Sequence, residues 1–421
     1  METGVLGGVE QVVIGLADAL SRLDDGPEEY LFLTTPGKDD WLRPYMRGPC
    51  RIMNVGDPPA WTVRRYKMRD LLSRRLPFIS RPQLPPSGPD HVMVSDGTVE
   101  QADVDVVHFP NQMAFLTRIP SIYHPHDLQH LHLPELFPVR DVELREAWYR
   151  AFCRQAELVV MMTEWGRRDL LDHYDLPSDK VAVVPWGAVT DAYPDPSQAE
   201  IDQTRKSLRL PDRFLLYPGQ TWPHKNHEGL LEALALVRER RGGVPPLVCS
   251  GHLNELYPKL ERRAEELGLG DKVSFVGFVE PLQLRCLYEL ATGVIFPSRF
   301  EGWGMPVTEA FSLGVPVACS NVTSLPEVAG DAALLFDPNS AEEMADAAWS
   351  LWTDPELRAR LIERGRRRAR KLSFEQPTRT FRAHYRRIAG HPLSEEDRHL
   401  IAASTAGADA SPPADVTSPA P

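Results

Sequence analysis

The sequence predicts an α/β protein with two doubly wound domains. Short apolar runs alternate with stretches of helical periodicity along most of the 421 residues, a length that suffices for two hydrophobic cores. The alternation breaks once, at a polar segment over 190–212 that contains several prolines. We therefore expect domains at 1–189 and 213–372, joined by a linker, then a crossover helix at 373–390 and a tail at 391–421.

In the first domain, residues 9–23 carry apolar side chains at helical spacing and predict a helix. Apolar runs at 29–36, 103–110 and 121–127 predict buried strands, and 138–156 predicts a long helix. Because these runs are apolar throughout rather than alternating, we expect parallel strands that helices cover on both faces.

The second domain repeats this pattern. Six strands are predicted at 213–220, 246–251, 273–279, 293–298, 315–321 and 332–338. Helices are predicted between them at 226–240, 255–267 and 281–291, and residues 341–389 have helical, basic character. The tail at 391–421 is rich in Ala, Ser, Thr and Pro and lacks bulky apolar residues, a composition that predicts disorder.

Composition narrows the class of protein. A formal net charge of −12 disfavours a general affinity for nucleic acid, and five widely separated cysteines form no paired metal spacing, which is typical of a reducing, cytoplasmic compartment. No apolar run approaches the roughly 18 residues that span a bilayer, so any membrane contact would be peripheral. The basic, aromatic stretch 61–78 fits either a helix on an anionic membrane surface or a solvated helix with one core face.

Residues 300–314, FEGWGMPVTEAFSLG, place Glu301 and Glu309 on either side of a glycine-containing turn. Pro306 suits the first position of a helix and Gly314 suits its end, which predicts a short helix between them. The N-terminus of such a helix carries unpaired amides and a partial positive charge, and the preceding glycines allow those amides to approach a phosphate. The stretch therefore predicts an anion-binding loop flanked by two carboxylates.

This stretch and several others resemble one protein family. The other segments are YPGQTWPHKN (217–226) and SNVTSLPEVAGDAALLFDP (320–338), with GGVE, HDLQH and VVPWGA in the first domain. They are similar to the retaining glycosyltransferases with the signature Glu, seven residues, Glu, known as glycosyltransferase family 4 or glycosyl transferases group 1, in a mannosyltransferase-like branch. The resemblance covers about 4–389. It implies the GT-B fold, with two Rossmann-like domains facing a cleft and a C-terminal helix that returns toward the first domain.

The resemblance implies a role for each residue of the motif. Glu301 would lie beside the transferred sugar, and the two carboxylate oxygens of Glu309 would accept hydrogen bonds from the ribose hydroxyls of a nucleotide. Backbone groups at Gly304, Met305 and Pro306 would contact sugar hydroxyls and phosphate. The motif residues would thus bind a nucleoside diphosphate sugar, which serves as a donor substrate rather than as a cofactor. A structural alternative treats both glutamates as ordinary loop and helix-start acids.

Other segments supply further expected contacts. Lys225, in HKN, would meet the diphosphate and neutralise the leaving group. Gly219 and Phe278 are placed with the donor-binding residues, and His126 would lie near the reacting sugar through its ring or backbone. Many family members have an arginine where this chain has Gln220, so a second cation on the diphosphate is not assigned; His224 or Arg299 are the candidates.

Gly7 and Gly8 resemble the loop that lets the backbone of the first domain approach the donor phosphate. In a Rossmann-like half this loop directly follows the central first strand, yet no five-residue run precedes it here. The sequence thus predicts that the central strand is missing and that Met1 is a misassigned start or a truncation.

Two motifs suggest metal binding but have a simpler interpretation. The histidines of the segment 124–132 suggest a metal cluster, although no acid or cysteine completes a familiar ligand set. The Asp-x-Asp sequence at 103–105 is typical of metal–diphosphate binding in glycosyltransferases of another fold, but here it precedes an apolar run and is interpreted as the entry to a strand. The resemblance implies catalysis without a metal.

The function implied by the resemblance is transfer of a hexosyl unit, with mannosyl favoured, from a nucleoside diphosphate sugar to a saccharide or lipid-linked saccharide in cell-surface polysaccharide synthesis. The enzyme would be cytoplasmic, with peripheral contact at the inner face of the membrane. The alternatives are a GT-B hydrolase or epimerase that acts on the same donor, and a non-catalytic nucleotide-sugar-binding partner of another transferase.

Overall fold

The computed structural model describes residues 8–54 and 92–407 of the chain. Within this part, twelve strands are interspersed with fifteen α-helices, in agreement with the predicted α/β class. The strands are β1 Tyr30–Thr34, β2 Cys50–Asn54, β3 Val107–Phe109, β4 Ser121–Tyr123, β5 Leu158–Met161, β6 Val181–Val183, β7 Leu215–Pro218, β8 Leu247–Ser250, β9 Val273–Gly277, β10 Gly293–Phe296, β11 Val317–Ser320 and β12 Ala333–Phe336.

The α-helices of the described residues are α1 Gly8–Leu20, α2 Thr98–Gln101, α3 Gln129–His132, α4 Val139–Gln155, α5 Glu164–His173, α6 Gln198–Ser207, α7 His227–Arg241, α8 Tyr257–Glu266, α9 Pro281–Leu290, α10 Met305–Ser312, α11 Leu325–Ala329, α12 Ala341–Thr353, α13 Pro355–Lys371, α14 Glu375–Ile388 and α15 Glu395–Thr405. None of the helices within the described ranges is both long and apolar enough to cross a bilayer.

The second domain is a six-stranded parallel sheet with the order β12-β11-β10-β7-β8-β9. Each predicted strand of this domain is present. The prediction succeeds because a strand that helices cover on both faces needs a continuous apolar run, which is visible in the sequence. All residues of β7, β8, β10 and β11 are buried. The chain order reverses between β7 and β10, and ligands of such sheets bind outside the carboxyl ends of the strands at this point.

The described strands of the first domain form two separate parallel sheets, β1-β2 and β3-β4-β5-β6. Helix α14 connects them, because the Tyr385 hydroxyl lies 2.6 Å from His108 Nδ1 on β3 and its ring lies 6.2 Å from that of Tyr30 on β1. The crossover helix therefore returns to the first domain, as predicted. The Asp-x-Asp sequence at 103–105, interpreted from sequence as the entry to a strand, precedes β3, which begins at Val107, and Asp103 lies in a turn with a positive φ.

The segment 190–212, predicted to be a linker, contains helix α6. Ser197 and Glu200 form a capping box at its start, a local signal that the prediction passed over. Arg285 of α9 donates from Nη1 to the carbonyl oxygens of Thr190 and Tyr193 at 2.9 and 3.2 Å. This segment is thus anchored to the second domain instead of running freely between the domains.

The prediction of a disordered tail over 391–421 is wrong for residues 395–405, which form α15. Polar contacts hold this helix: the carboxylate of Asp397 accepts from Arg386 at 3.0 Å, and Ser404 Oγ lies 2.9 Å from His384 Nε2. A prediction from composition misses this helix because it considers the lack of bulky apolar residues and takes no account of buried polar pairs. The rest of the tail from residue 408, together with Gly7 and the stretch 61–78, lies outside the described residues.

Candidate functional site

The carboxyl ends of β7 and β10 lie side by side at the reversal point of the second sheet. Lys225 follows β7 in a short 3₁₀ turn, and Glu301 follows β10. Lys225 Nζ and Glu301 Oε1 form an ion pair with a separation of 2.5 Å. The two side chains are 18% and 12% exposed, so the pair faces a partly enclosed space instead of open solvent. Two residues predicted from separate motifs therefore contact each other directly.

The loop after β11 holds the backbone of Glu301. Its amide donates to Thr323 Oγ1 at 3.1 Å, and its carbonyl oxygen accepts from Ser324 Oγ at 2.8 Å. Thr323 itself has a φ of 53°, an uncommon conformation for a β-branched residue. These contacts explain why the segment 320–338 accompanies the glutamate motif, although the sequence assigned no role to its hydroxyls.

Helix α10 begins at Met305, one residue before the predicted start at Pro306. Gly304 precedes it with a φ of 95°, and a Cβ at this position would lie 2.6 Å from a methyl carbon of Leu325, so both conformation and space require glycine. Val307 N already donates to the Gly304 carbonyl at 2.9 Å. The helix ends before Gly314, which has a φ of 69°, as the sequence predicts.

Glu309 lies in the second turn of α10 and is only partly exposed. Its Oε2 accepts a hydrogen bond of 2.7 Å from the hydroxyl of Tyr288 on α9. Burial raises the pKa of Glu309, and the Tyr288 hydroxyl opposes that shift. The sequence did not predict a role for Tyr288, because the residues around it do not indicate that its hydroxyl contacts Glu309.

The start of α1 lies opposite Glu309. Tyr193 Oη donates to Gln11 Oε1 at 2.7 Å, and burial raises the pKa of Tyr193, with the charges of Glu10 and Glu309 acting in the same direction. Gly8 is the first residue of α1, three residues before Gln11. The approach of this glycine loop to the donor stays a prediction.

His126 and Asp127 follow β4 and contact the motif loop across the cleft. A Cβ at Gly302 would lie 2.7 Å from the His126 carbonyl oxygen and 3.2 Å from Asp127 Cβ, so only glycine permits this approach. His126 has a φ of 67°, and its Nε2 lies 3.1 Å from the carbonyl oxygen of Pro110. Burial lowers the pKa of His126 to about 4, so the imidazole is neutral at pH 7.

Asp127 is a member of the site to which sequence reasoning gave no role. Its Oδ1 accepts from the amide of Gln129 at 3.1 Å. Burial raises its pKa to about 6, and the negative charge of Glu301 adds to that rise while the positive charge of Lys225 opposes it. A carboxyl group that titrates close to neutrality thus lies beside the Lys225–Glu301 pair.

The candidates for a second cation differ in their surroundings. Burial lowers the pKa of His224 to about 3, and the charge of Lys225 adds to this effect, so His224 is uncharged at neutral pH. Gln220 Oε1 accepts from Trp222 Nε1 at 2.7 Å. Arg299 is exposed and follows the same strand as Glu301, which leaves it as the better candidate.

Gly219 and Phe278 lie at the same edge of the sheet. A Cβ at Gly251 would lie 2.7 Å from the carbonyl carbon of Gly219, so the loops after β7 and β8 are in backbone contact. Phe278, just beyond β9, is 46% exposed and stacks on His252 with ring centroids 4.6 Å apart. An exposed aromatic face at this point can accept a planar base.

Comparison with known proteins identifies the family. Residues 6–192 match the family described as Glycosyltransferase Family 4, and residues 200–368 match the one described as Glycosyl transferases group 1. The two matches together span most of the chain. This chain belongs to the glycosyltransferases that these two families describe, one in each half of the chain.

Relatives and solved structures agree with this assignment. The O-antigen chain mannosyltransferase B of Escherichia coli is 31% identical over 60% of this chain and 66% of its own length. The D-inositol 3-phosphate glycosyltransferase of Corynebacterium glutamicum is 25% identical over 88% of this chain and 90% of its own length. The crystal structure of Anabaena HepE with UDP and glucose superposes with a TM-score of 0.67 at 19% identity, covering 91% of this chain and 97% of that one. The glycosyltransferase therefore has the GT-B fold and acts in glycan biosynthesis.

The histidines at 124–132 of the glycosyltransferase do not converge on one point. His124 Nε2 lies 2.8 Å from His108 Nε2, and His130 Nε2 lies 2.9 Å from Glu146 Oε1. His132 Nε2 instead lies 2.7 Å from Asp169 Oδ1. Each ring has its own partner, so the structure does not support the alternative that these four histidines share a metal.

A contact between the domains involves Glu327, on α11. Its two carboxylate oxygens accept from the amides of Glu164 and Trp165 at 2.9 and 3.0 Å. These amides form the first turn of α5, where a carboxylate satisfies unpaired donors and favours the helix dipole. The second domain thus caps a helix of the first, close to the cleft. Glu327 lies in the segment SLPEV, but the residues around it do not indicate that it contacts α5.

Proposed function

We propose that this glycosyltransferase is a retaining enzyme that transfers a hexosyl unit, with mannosyl favoured, from a nucleoside diphosphate sugar to a saccharide or lipid-linked saccharide acceptor in cell-surface polysaccharide synthesis. The observation that carries the proposal is the contact of Lys225 with Glu301 at the reversal point of the second sheet, beside α10 and Glu309.

Each part of the donor has a matching group. Glu309 suits the ribose, because its two oxygens can accept from vicinal hydroxyls. The N-terminus of α10 and the ammonium of Lys225 suit the diphosphate. Glu301 and His126 suit the sugar, and the exposed ring of Phe278 suits the base. When the donor binds, Lys225 would exchange part of its contact with Glu301 for a phosphate oxygen.

The relatives support the chemistry of the donor and acceptor. The Escherichia coli relative is named as a mannosyltransferase of the O-antigen chain, which favours mannose and a saccharide acceptor. HepE was crystallised with UDP and glucose, which favours a nucleotide-sugar donor for the shared fold. Neither assigns the base of the donor.

In the proposed reaction the bond between the sugar C1 and the phosphate oxygen breaks while the acceptor oxygen bonds to C1 on the same face. Because the acceptor oxygen enters on the face from which the diphosphate leaves, the protein need supply no covalent nucleophile. The acceptor proton passes to an oxygen of the departing diphosphate, so the protein need supply no general base. Lys225 and the amides of α10 contact the diphosphate of the bound donor and stabilise the additional charge that develops on it as the bond breaks. Only the part of this stabilisation that is stronger in the transition state than in the bound donor raises turnover. We include catalysis without a divalent metal in the proposal, because these groups can balance the diphosphate charge.

A donor screen tests the proposal. Purified protein is heated with UDP-, GDP-, ADP- and dTDP-sugars, and the donor that raises the melting temperature is then incubated with saccharide acceptors. We expect one donor class to stabilise the protein and its sugar to be transferred with the anomeric configuration retained, in chelator as well as in Mg²⁺. Free sugar without acceptor dependence would indicate a hydrolase or epimerase, and binding without turnover would indicate a non-catalytic partner.

A further inference from the structure

A second cluster of ionisable side chains lies in the first domain, formed by His132, Asp169 and His173. We call it the His–Asp–His cluster. Asp169 and His173 are four residues apart on α5, so both lie on one face of the helix, and His132 reaches them from the end of α3. Asp169 Oδ1 lies 2.7 Å from His132 Nε2 and 3.3 Å from His173 Nδ1. The three ligand atoms lie within 4.8 Å of one another.

Asp169 is the unusual member of the cluster. Its side chain is only 7% exposed, yet its Oδ2 has no hydrogen-bond partner within residues 8–54 and 92–407. A buried carboxylate oxygen without a partner lowers the stability of the folded protein. The hydrogen bonds to Oδ1 do not compensate for the unpaired Oδ2. A cation coordinated at this position would compensate the buried charge.

The spacing of the three side chains is close to that of a small metal centre. Metal–nitrogen and metal–oxygen bonds of about 2.0–2.2 Å place neighbouring ligands of a tetrahedral ion roughly 3.4 Å apart. The side chains of His132 and His173 are 34% and 38% exposed, so modest ring rotations can open the present contacts and water can complete the coordination. In the present arrangement His173 Nδ1 also lies 2.8 Å from the Asp169 carbonyl oxygen, a contact that metal binding would replace.

We propose that the His–Asp–His cluster binds Zn²⁺. Two imidazoles and one carboxylate form a borderline ligand set that suits zinc and related transition-metal ions, whereas Mg²⁺ and Ca²⁺ prefer oxygen ligands alone. Three protein ligands leave a fourth position open to solvent. The site is separate from the groups proposed to hold the diphosphate, so it takes no part in the proposed metal-independent transfer.

The position of the cluster couples it to the donor loop. The ring of His132 lies 5.2 Å from that of Phe300, which directly precedes Glu301, and the Trp165 ring lies 5.7 Å from the same phenylalanine. A bound ion would fix the orientation of His132 and hence the first-domain surface on which Phe300 packs. Zinc is thus expected to stabilise the contact between the domains.

The test uses the full chain after treatment with chelator. Isothermal titration with Zn²⁺ should show one equivalent bound and a raised melting temperature, Co²⁺ should give a visible ligand-field spectrum, and Mg²⁺ and Ca²⁺ should do neither. Asp169→Asn and His173→Gln should each weaken zinc binding by at least about 10-fold. His399→Gln, which replaces an exposed histidine on α15, is the matched control and should bind like the parent.

Folding and binding are separated by measuring the melting temperature of each variant without metal. His173→Gln changes an exposed side chain and is expected to fold normally. Zinc binding that is unchanged in both cluster variants, or no stoichiometric binding to the parent, would overturn the proposal. Neither result bears on the donor screen, because transfer in that screen is also measured in chelator.

Discussion

Lys225 Nζ lies 2.5 Å from Glu301 Oε1, and this ion pair joins the loops that follow β7 and β10. Each partner neutralises the other in a partly buried space, so neither charge is left uncompensated. The same pairing means that a donor diphosphate competes with Glu301 for the ammonium group. The two residues are therefore expected to affect catalysis together and not independently.

We expect Lys225→Ala to lower kcat/KM by about 10²–10³-fold, the usual effect of removing one group that stabilises transition-state charge. Glu301→Ala should mainly lower kcat. Lys259→Ala is the control, because Lys259 is 59% exposed and pairs with Glu228 at the surface. Steady-state kinetics with the donor found in the screen provide the measurement. Parent-like rates for both site variants would show that the site is assigned incorrectly.

Glu309→Ala should weaken nucleotide-sugar binding, because it removes both acceptors proposed for the ribose. Tyr288→Phe removes only the hydroxyl that donates to Glu309 at 2.7 Å, and we expect a loss of about 1 kcal/mol in the free energy of unfolding together with a smaller loss of affinity. Donor titration calorimetry and chemical denaturation separate the two effects. Equal donor affinity in the parent and in Glu309→Ala would contradict the ribose role.

Asp127 predicts a specific pH dependence of stability. Its folded pKa is raised to about 6, above the roughly 3.9 of an unfolded aspartate, so its stabilising contribution is present at low pH and is lost as the pH rises through about 6. The stability of Asp127→Asn relative to the parent should therefore increase between pH 4 and about pH 7. The asparagine keeps an acceptor for the Gln129 amide. Denaturation curves at several pH values measure this difference.

Asp175→Asn is the matched control for Asp127, because Asp175 is exposed. Its stability relative to the parent should vary less over the same pH range. A difference between the parent and Asp127→Asn that does not change with pH would mean that Asp127 ionises normally in the folded protein.

Glu327 should affect how the two domains hold together. Glu327→Gln removes the charge that caps α5 and can retain only one of the two acceptors, so we expect a loss of about 1 kcal/mol, typical of a helix cap. Small-angle scattering should also show a more open average shape. Glu363→Gln, in an exposed i,i+4 pair with Arg367, should change neither quantity. Unchanged stability and shape in Glu327→Gln would remove the proposed interdomain role.

Local patterns in the sequence determined the strands and the main loops of the second domain. Parallel strands buried on both faces must be apolar throughout, which is why the runs at β7 and β10 could be recognised without a structure. The glycines and proline of the motif also predicted α10 to within one residue at its start, because φ preferences act locally. Lys225, Glu301 and Glu309 were singled out as site residues by the resemblance of these segments to one family.

Tertiary structure alone decided which groups meet. Tyr288 contacts Glu309, Glu327 caps α5, and Asp169 joins two histidines, yet in none of these cases does the sequence around one residue indicate its partner. The same reason explains the ordered helix α15, whose composition predicts disorder but whose Asp397 pairs with Arg386. Helical and strand periodicity record which face of an element is buried, whereas the partner of a buried polar group depends on how distant elements pack. Charge pairing and pKa shifts at the site are therefore properties of the packed chain.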